Sequence, residues 1–433
     1  MSLFNTLNTG ASGLGVNSTA LSVIGDNIAN AQTTGFKSGS ATFADMIPGT
    51  VNGLGGAQTI GRGAMLSGVA STFAQGSMNS SSGALDMALN GRGFFAVNNG
   101  NERFFTRDGS FRMDKDNFVV SGAGMRLQGF QATDGVLGTT VGDLQLDTRD
   151  IASKATSEVR LGATLSASAD FATTPLAALL MDGSVAGGTL EDASTAADFS
   201  TSVTIYDSRG LPHDATIFFE RSDVNTYAYR IAVDAGEMDP AGVPGTAFEL
   251  FNGTATFATD GTLSASTGPI STGATAATFP GADTTALTLD ITTNGSLRMA
   301  GSDSYTSDIG QDGFTNGSLA GLRVEKDGTI MAAYTNGEET TVGQVAVATF
   351  AAEDALERMG GNLFRDSINT GDPALGAAGT GGRGEINGYA LEGSNVELED
   401  EFVAMIRAQR SYQANTGVIT TVNQTLQELV NLV

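Results

Sequence analysis

Two seven-residue apolar repeats, one near each end of the sequence, constrain the fold of this chain more than any other feature. The C-terminal repeat consists of Leu398, Met405, Tyr412, Ile419, Leu426 and Val433. The N-terminal repeat consists of Leu7, Leu14, Leu21 and Ile28, with Leu3 and Ile24 on the neighbouring row. Such a repeat predicts a helix that buries one stripe against another helix. We therefore expect the two ends to pair as a coiled-coil-like inner domain, which favours a subunit that assembles through its ends over an enzyme built around a pocket.

Both predicted helices are weak on their own. The first runs from about Leu3 to Ile28, and four glycines interrupt it: Gly10, Gly13, Gly15 and Gly25. Each glycine costs about 1 kcal/mol relative to alanine. The second helix begins near Asn395, which can act as its N-terminal cap. We expect both ends to be largely disordered in the free monomer and to order on assembly; the alternative is that they pair within one compact monomer.

The sequence between the repeats predicts β-structure. The chain contains 58 glycines and 8 prolines, and short apolar runs alternate with turn clusters such as Asn98 to Gly100. We expect a mainly β fold with α-helical termini and two nested β-rich domains. The predicted parts are a helical inner domain with an extended arm (1–71 plus 391–433), a discontinuous β-domain (72–145 plus 305–390) and an outer β-domain (146–304).

Charge and composition argue against several classes of function. The formal net charge is −25, from 47 acidic and 22 basic residues, so nucleic acid and anionic membranes would be repelled. The chain has no cysteine, which removes disulfides and thiolate metal sites. The N-terminus lacks a signal-peptide pattern, and no apolar stretch approaches the roughly 18 residues that span a bilayer. We expect a protein that is cytosolic or that leaves the cytosol without a cleaved signal.

Residues that could support catalysis are sparse. The single histidine, His213, is predicted to lie in a turn beside Asp214, where a surface hydrogen bond is the simpler interpretation. The sequence has neither a Gly-x-Ser-x-Gly nucleophile elbow nor a P-loop pattern. The stretch from Asp114 to Asn117 lacks the ligand spacing of a calcium loop. We therefore expect no catalytic, metal-binding or cofactor-binding residues.

Two motifs next to the repeats carry a resemblance to a known family. The N-terminal motif runs from Gly25 to Lys37, and its signature residues are Asn27, Ala29, Asn30, Thr33, Gly35, Phe36 and Lys37. The C-terminal motif starts at Gly393 and contains Ser394, Asn395 and Val396. Together they resemble the terminal signatures of the bacterial flagellar axial proteins, the rod and hook family. The long stretch between them, with segments such as Val203 to Gly210, is similar to the hook members rather than to the shorter rod subunits.

The resemblance implies a structural role. It implies a subunit that polymerises with copies of itself into a curved, flexible tube, the flagellar hook, which transmits torque from rod to filament. The implied partners are rod and hook–filament junction proteins, the hook cap and the flagellar export apparatus. The implied location is extracellular, after export without a cleaved signal peptide. Two alternatives stay open: a distal rod-type protein with an enlarged insertion, and a secreted β-rich binding module that its helices oligomerise.

The segment from Ser38 to Asn79 is open to two interpretations. Its richness in Gly, Ser and Thr is typical of a flexible linker, whereas the resemblance implies an extended arm that packs between neighbouring subunits. Within it, Phe43 and Ile47 resemble the Phe-x-x-x-apolar motif that the export gate recognises in early flagellar substrates.

Overall fold

The chain folds into two compact units in the computed structural model, which describes residues 3–47, 49–53, 56–171, 175–180, 188–238, 243–267, 279–283, 287–291 and 297–431. Unit 1 contains Met1–Thr148, Ala320–Ala333 and Glu339–Val433. Unit 2 contains Arg149–Leu319 and Tyr334–Glu338. Within the described ranges the α-helices are α1 (Leu3–Ala29), α2 (Leu176–Leu179), α3 (Leu190–Ala196) and α4 (Leu398–Asn431).

The strands are numbered in chain order. The first group is β1 (Gly39–Asp45), β2 (Gly49–Gly53), β3 (Gly56–Ile60), β4 (Ala64–Ser71), β5 (Met78–Ser80), β6 (Met87–Asn90), β7 (Phe94–Asn98), β8 (Arg103–Thr106), β9 (Phe111–Met113), β10 (Val119–Ser121), β11 (Arg126–Thr133) and β12 (Val136–Asp143). The second group is β13 (Glu158–Ser166), β14 (Phe199–Tyr206), β15 (Pro212–Asp223), β16 (Thr226–Asp234), β17 (Ala247–Phe257), β18 (Leu263–Thr267), β19 (Thr288–Asp290), β20 (Leu297–Ala300) and β21 (Tyr305–Gln311). The third group is β22 (Leu319–Val324), β23 (Thr329–Tyr334), β24 (Glu339–Thr349), β25 (Glu357–Gly360), β26 (Leu363–Arg365), β27 (Ala374–Ala377), β28 (Glu385–Gly388) and β29 (Ala390–Glu392).

The two longest helices occupy the two ends of the sequence, as the apolar repeats predict. α1 has no acidic residue in its first turn and no basic residue in its last, so its dipole is not compensated at either end. α4 carries Glu399, Asp400 and Glu401 in its first turn, where the dipole favours anions. Because propensity contributes little to α1, its stability depends on what packs against it.

The sheet of unit 1 combines strands from both flanks of the central insertion. Its main order is β22-β23-β24-β11-β7-β8-β26-β25. β24 pairs with β11 and β7, so that Val345 lies opposite Gly129 and Val347 opposite Phe95. Phenylalanine rings fill the core behind these strands: Phe94, Phe105, Phe350 and Phe364, with Phe73 at the edge. This sheet is therefore complete only when the strands that precede the central insertion pair with the strands that follow it.

The segment that follows α1 is a long β-hairpin. β1 pairs with β4 in antiparallel register, from Gly39 opposite Ser71 to Asp45 opposite Ala64, and β2 pairs with β3 further out. The composition of this segment is typical of a flexible linker, but successive residues pair across the two long strands, with one register shift between Thr42 and Phe43. Below, β1 to β4 are called the arm.

Unit 2 is a separate β-rich body. Strands β14 to β18 form an antiparallel meander, and β13 is flanked by β19 and β20 in parallel, with β21 antiparallel to it. The two sheets share one apolar core, in which Leu161 of β13 and Ile217 and Tyr229 of the meander are fully or almost fully buried. Residues from α2 and α3 cover the other face of the meander around Phe218.

The observed architecture confirms the predicted fold class, mainly β with α-helical termini. The β-rich middle divides between unit 1 and unit 2, and the terminal helices α1 and α4 belong to unit 1. The finer three-part division at 71, 145, 304 and 390 stays a prediction.

Candidate functional site

The two terminal helices pack against each other in an antiparallel arrangement. An ideal Cβ on Gly10 would lie 3.1 Å from Ile419 Cγ1, and one on Gly13 would lie 2.7 Å from Asn415 Nδ2. At the other end of the pair, Asn27 Nδ2 donates a hydrogen bond of 2.8 Å to a carboxylate oxygen of α4, Glu401 Oε1. Glycine at the first two positions lets the helix axes approach closely, so two of the four residues that weaken α1 have a packing role.

The predicted stripe lies close to the interface but does not coincide with it. On α1, Leu7, Leu14, Leu21, Ile24 and Ile28 are all half-buried. On α4, the half-buried members are Met405, Ile419 and Leu426, whereas Leu398 and Tyr412 are exposed. The side chain of Leu3 and the whole of Val433 lie outside the described residues.

The buried positions of α4 form a second seven-residue row that sequence reasoning missed. This row consists of Glu401, Ala408, Asn415 and Val422, and Ala408 and Val422 are buried. Its members are small or polar, so a search for the largest apolar side chains passes over it. The signal was present in the spacing, because this row lies three residues beyond each member of the predicted row and so on an adjoining face.

Part of the apolar surface of α4 has no cover in the single chain. Leu398, Phe402 and Ile406 recur every fourth residue and therefore share one face. Phe402 is 50% exposed and Ile406 is 51% exposed. Val403, Val418 and Val430 are exposed as well. Exposed apolar side chains that share one helix face are typical of protein–protein contact surfaces.

The arm lies along α1 and is fixed to it by Asn27. The Asn27 side chain donates to Gly39 O and accepts from Gly39 N, both at 2.8 Å, and it is buried. Of the two residues in the predicted export motif, Phe43 is 40% exposed and Ile47 is 87% exposed. Both are therefore accessible in the single chain, and their role in export stays a prediction.

The N-terminal motif ends in a buried joint, formed by Lys37, Arg107 and Glu392, the residue just before the C-terminal motif. Lys37 Nζ lies 2.6 Å from Glu392 Oε1, and both side chains are fully buried. Arg107 Nη1 lies 3.2 Å from Glu392 Oε2 and is almost fully buried. The joint therefore places two cations and one anion inside unit 1.

Further hydrogen bonds complete the buried joint. Lys37 Nζ also donates to Ala74 O at 2.7 Å, and Gly76 N donates to Glu392 Oε1 at 2.9 Å. Arg107 Nη2 donates to Gly91 O at 2.9 Å, while Arg107 Nε has no hydrogen-bond partner among the described residues. Burial lowers the pKa of Lys37, and the nearby Glu392 carboxylate opposes this shift.

Asn395 joins the start of the C-terminal motif to the base of the arm. Its Oδ1 accepts from Ser38 N at 2.7 Å, and its Nδ2 donates to Thr72 O at 2.7 Å and to Ala74 O at 3.2 Å. The prediction that Asn395 caps the C-terminal helix is wrong, because α4 starts at Leu398 and the side chain is engaged by these strand ends instead. Ser394 and Val396 beside it are half-buried.

Gly35 allows the chain to pass tightly over the buried joint. Its φ is +68°, and an added Cβ would lie 2.5 Å from Asp108 N. Its N–H donates to Glu392 O at 2.7 Å. Phe36 is buried under the Arg358 guanidinium, 5.0 Å from the ring centre, and Arg358 Nη2 donates to Lys37 O. The left-handed conformation and the close backbone explain why this position needs glycine.

The remaining signature residues lie around the end of α1. Asn30 Nδ2 donates to Asp26 O at 2.9 Å, and Thr33 Oγ1 donates to Asn30 Oδ1 at 3.2 Å. Ala29 is exposed. The signature as a whole therefore ends the helix and turns the chain into the buried joint. Sequence reasoning missed Glu392, which lies just before the C-terminal motif, and did not assign a role to Arg107.

The single histidine belongs to unit 2 and has different neighbours from those expected. His213 lies on β15 opposite Ile205, so its prediction as a turn residue beside Asp214 is wrong in position. Its Nδ1 is 2.7 Å from Glu237 Oε2, its Nε2 is 3.8 Å from Asp207 Oδ2, and its ring stacks on Phe279 at 3.7 Å. These contacts hold it between two carboxylates and an aromatic ring.

Within the described residues, every helix is too short or too polar to span a bilayer. The same residues contain no cluster of three or more His, Cys, Asp or Glu side chains with metal-binding geometry.

Four family profiles match consecutive parts of the chain. They are the flagella basal body rod protein (7–37), the flagellar hook protein FlgE/F/G D1 domain (88–161), the flagellar basal body protein FlaE D2 domain (184–314) and the flagellar basal body rod FlgEFG protein C-terminal region (388–432). The first and last profiles include the two signature motifs, and they also include Lys37 and Glu392 of the joint, whereas Arg107 lies within the second profile.

Full-length relatives and a solved structure match as well. The flagellar hook protein FlgE of Salmonella typhimurium is 33% identical over 430 residues, covering 97% of this chain and 98% of the relative. FlgE of Rhizobium meliloti is 33% identical over 445 residues and covers all of both chains. The crystal structure of Helicobacter pylori flagellar hook protein FlgE2 superposes with a TM-score of 0.53 at 16% identity, over 72% of this chain and 100% of that one, which supports the fold.

Proposed function

This chain belongs to the flagellar hook protein family, and from that premise we propose that copies of it polymerise into a curved, flexible tube that transmits torque from the rod to the filament. The chain is a structural subunit of the flagellar hook. The observation that carries the polymerisation proposal is the terminal helix pair, which leaves Phe402 and Ile406 half-exposed in the single chain. Burying such side chains releases about 25 cal/mol per Å² of apolar surface, so repeated copies of this contact favour assembly.

A torque-transmitting tube must resist twisting while it tolerates bending. Apolar contacts between helices of neighbouring copies are costly to break and suit the first requirement. Polar contacts through water exchange partners more easily and suit the second. The exposed strand β25 and the net charge of −25 favour wet contacts between the β-rich parts of neighbouring subunits.

The family also indicates where the protein works and what it meets. The chain is a component of the flagellum. Its partners, in our proposal, are rod and hook–filament junction proteins, the hook cap and the export apparatus, and it leaves the cell without a cleaved signal peptide. The accessible pair Phe43 and Ile47 on the arm is available for recognition during export. The family role is structural, and we propose that the chain has no catalytic activity.

Polymerisation of the purified chain tests the proposal. We expect the intact chain to form tubes visible by negative-stain electron microscopy under polymerising conditions. The double variant F402S/I406S should remain monomeric, because it removes apolar surface that only a neighbouring copy would bury. Circular dichroism should show that the β-structure of this variant is unchanged.

A matched control separates this contact from a general loss of exposed apolar surface. Val136 on β12 is 71% exposed and lies outside the helix pair. Val136→Ser should polymerise as the intact chain does. Tubes from F402S/I406S at the concentration that the intact chain requires would contradict the proposed role of α4.

A further inference from the structure

The buried joint brings together charges from distant parts of the sequence. Glu392 follows Lys37 by 355 residues and Arg107 by 285. Both cations make their ion pairs with Glu392, and none of the other described carboxylates pairs with either of them. The N-terminal side of the joint therefore supplies two positive charges, and the C-terminal side supplies their shared counter-charge.

The joint is unfavourable without its anion. Lys37 and Arg107 contact the two oxygens of one buried carboxylate, so the two positive charges lie close together and repel each other. A buried charge that loses its partner is strongly destabilising, whereas replacing both members of a buried pair is far less so. The N-terminal motif can therefore adopt its joint conformation only when Glu392 is in place.

Glu392 also leads directly into the contacts that set the helix pair. Its backbone oxygen accepts from Gly35 N at 2.7 Å, at the end of the N-terminal motif. Three residues later, Asn395 accepts from Ser38 N, and after α4 has begun, Glu401 accepts from Asn27. The anion is thus the first of a series of contacts that fix the start of α4 on the end of α1.

We propose that Glu392 is a positioning residue for assembly: by neutralising Lys37 and Arg107, the C-terminal segment orders the N-terminal motif and sets the two helices in the register that polymerises. This inference rests on the proposed function, because its consequence is measured in polymerisation. If so, assembly requires the C-terminal segment to bind the N-terminal motif. What matters for this binding is the charge of Glu392, not the volume of its side chain.

Three variants distinguish charge from shape. E392Q keeps the side-chain volume but leaves two buried cations without an anion. K37M/E392Q removes one of the two cations as well, so that only Arg107 stays buried without an anion, and Ala74 O keeps a donor in Asn395 Nδ2. E385Q makes the same chemical change at an exposed position on the nearby strand β28 and is the matched control.

Two measurements read out the effect. The first is the critical concentration for tube formation by the full chain, from sedimentation. The second is amide hydrogen exchange at Gly35 and Ser38 in the unpolymerised protein, since the acceptors of these N–H groups are Glu392 O and Asn395 Oδ1. We expect E392Q to raise the critical concentration and to speed exchange at both amides by at least tenfold, K37M/E392Q to recover part of both losses because one unpaired cation remains, and E385Q to match the original.

Each outcome decides the inference. Wild-type behaviour of E392Q in either measurement would overturn it. A double variant that is no better than E392Q would also overturn it, because a purely steric role is not repaired by removing Lys37. If E392Q does not fold, the variant K37M/R107M/E392Q, which removes every charge of the joint, is measured instead: a folded and assembling protein supports the inference and an unfolded one refutes it. Failure of the original chain to form tubes would reject the proposed function, while the exchange measurement would still decide whether Glu392 orders the motif.

Discussion

At the scale of single residues, Asp312 fastens two segments of unit 2 that are far apart in sequence. Its Oδ1 accepts from Ser157 N and Glu158 N, both at 2.8 Å, its Oδ2 accepts from Ser157 Oγ at 2.6 Å, and Lys154 Nζ lies 3.0 Å from Oδ2. Burial raises the pKa of Asp312, but these hydrogen bonds and the ammonium group outweigh burial and lower it to about 2.

The depressed pKa of Asp312 predicts a loss of stability in acid. Because the folded-state pKa is below the ordinary value of 3.8, the stabilisation is complete above that value and is lost as the pH falls toward 2. Asp312→Asn should lower the free energy of unfolding of unit 2 by about 1 kcal/mol at neutral pH, a figure reduced for partial solvent exposure. Urea unfolding at several pH values measures this difference, which should shrink in acid. The exposed Asp303→Asn serves as control, and equal effects of the two substitutions would contradict the assignment.

Gly35 gives a second prediction at this scale. Gly35→Ala should destabilise unit 1 by about 2 kcal/mol or more, because the residue has positive φ and its Cβ would meet the backbone of Asp108. Gly124 has a similar φ of +80°, with no atom within 4 Å of an added Cβ, so Gly124→Ala should cost only about 1 kcal/mol. Denaturant unfolding of both variants compares Gly35→Ala, which combines backbone strain with a steric clash, with Gly124→Ala, which has backbone strain alone. Similar losses in the two would show that the close approach at Asp108 relaxes easily.

At the scale of elements, the glycines of α1 fall into two groups. Gly10 and Gly13 face α4, whereas an added Cβ on Gly15 or Gly25 would have no atom within 4 Å among the described residues beyond its own helix backbone and chain neighbours. The first two give close contact between the helices, and the other two leave small surfaces on the outside of the pair. The same residue type therefore weakens the helix by a similar amount at each position but serves the packing of this chain at only two of them.

This division predicts different effects of alanine along one helix. Gly13→Ala should lower the temperature at which assembled tubes dissociate, because the new methyl group must displace the Asn415 side chain. Gly15→Ala gains about 1 kcal/mol of helix propensity and meets nothing within the chain, so it should leave that temperature unchanged or raise it. Light scattering during heating measures both. An unchanged dissociation temperature for Gly13→Ala would contradict the tight α1–α4 contact.

The sequence predicts the elements of this chain better than the contacts between them. The repeat of Leu7, Leu14 and Leu21 predicts a helix because its information is local, and α1 follows it to within a residue at the C-terminal end. Which face of α4 meets α1 is not local, because the glycines of α1 admit the polar Asn415 as well as Ile419 of the apolar row. The pairing of Lys37 with Glu392 leaves no local trace, since neither neighbourhood in sequence specifies the other.

At the scale of the whole molecule, both ends of the sequence depend on each other. Residues that precede and follow the central insertion share one sheet, one aromatic core and one buried joint in unit 1. The helix pair that extends from this joint keeps an uncovered apolar face at Phe402 and Ile406. The β-rich parts of the chain therefore have buried apolar cores, whereas the terminal helices leave apolar side chains uncovered. This combination is expected of a subunit whose terminal helices are covered by neighbouring copies.

Hydrogen exchange on the free monomer tests whether the terminal helices become stable only when neighbouring copies pack against them. We expect little protection at Leu14 and Ile419 before polymerisation and strong protection afterwards, because the isolated pair buries few side chains completely. The amide of Phe95, in the sheet of unit 1, is the internal reference and should be protected in both states. Strong protection at Leu14 and Ile419 in the monomer would instead favour a helix pair that is stable within one chain.

The most direct test of the account is electron microscopy of the purified chain with and without residues 396–433, which contain α4. The intact chain should form ordered tubes, and the shortened chain should keep its β-structure but form none. Ordered tubes from the shortened chain would contradict the claim that the C-terminal helix holds the polymer together.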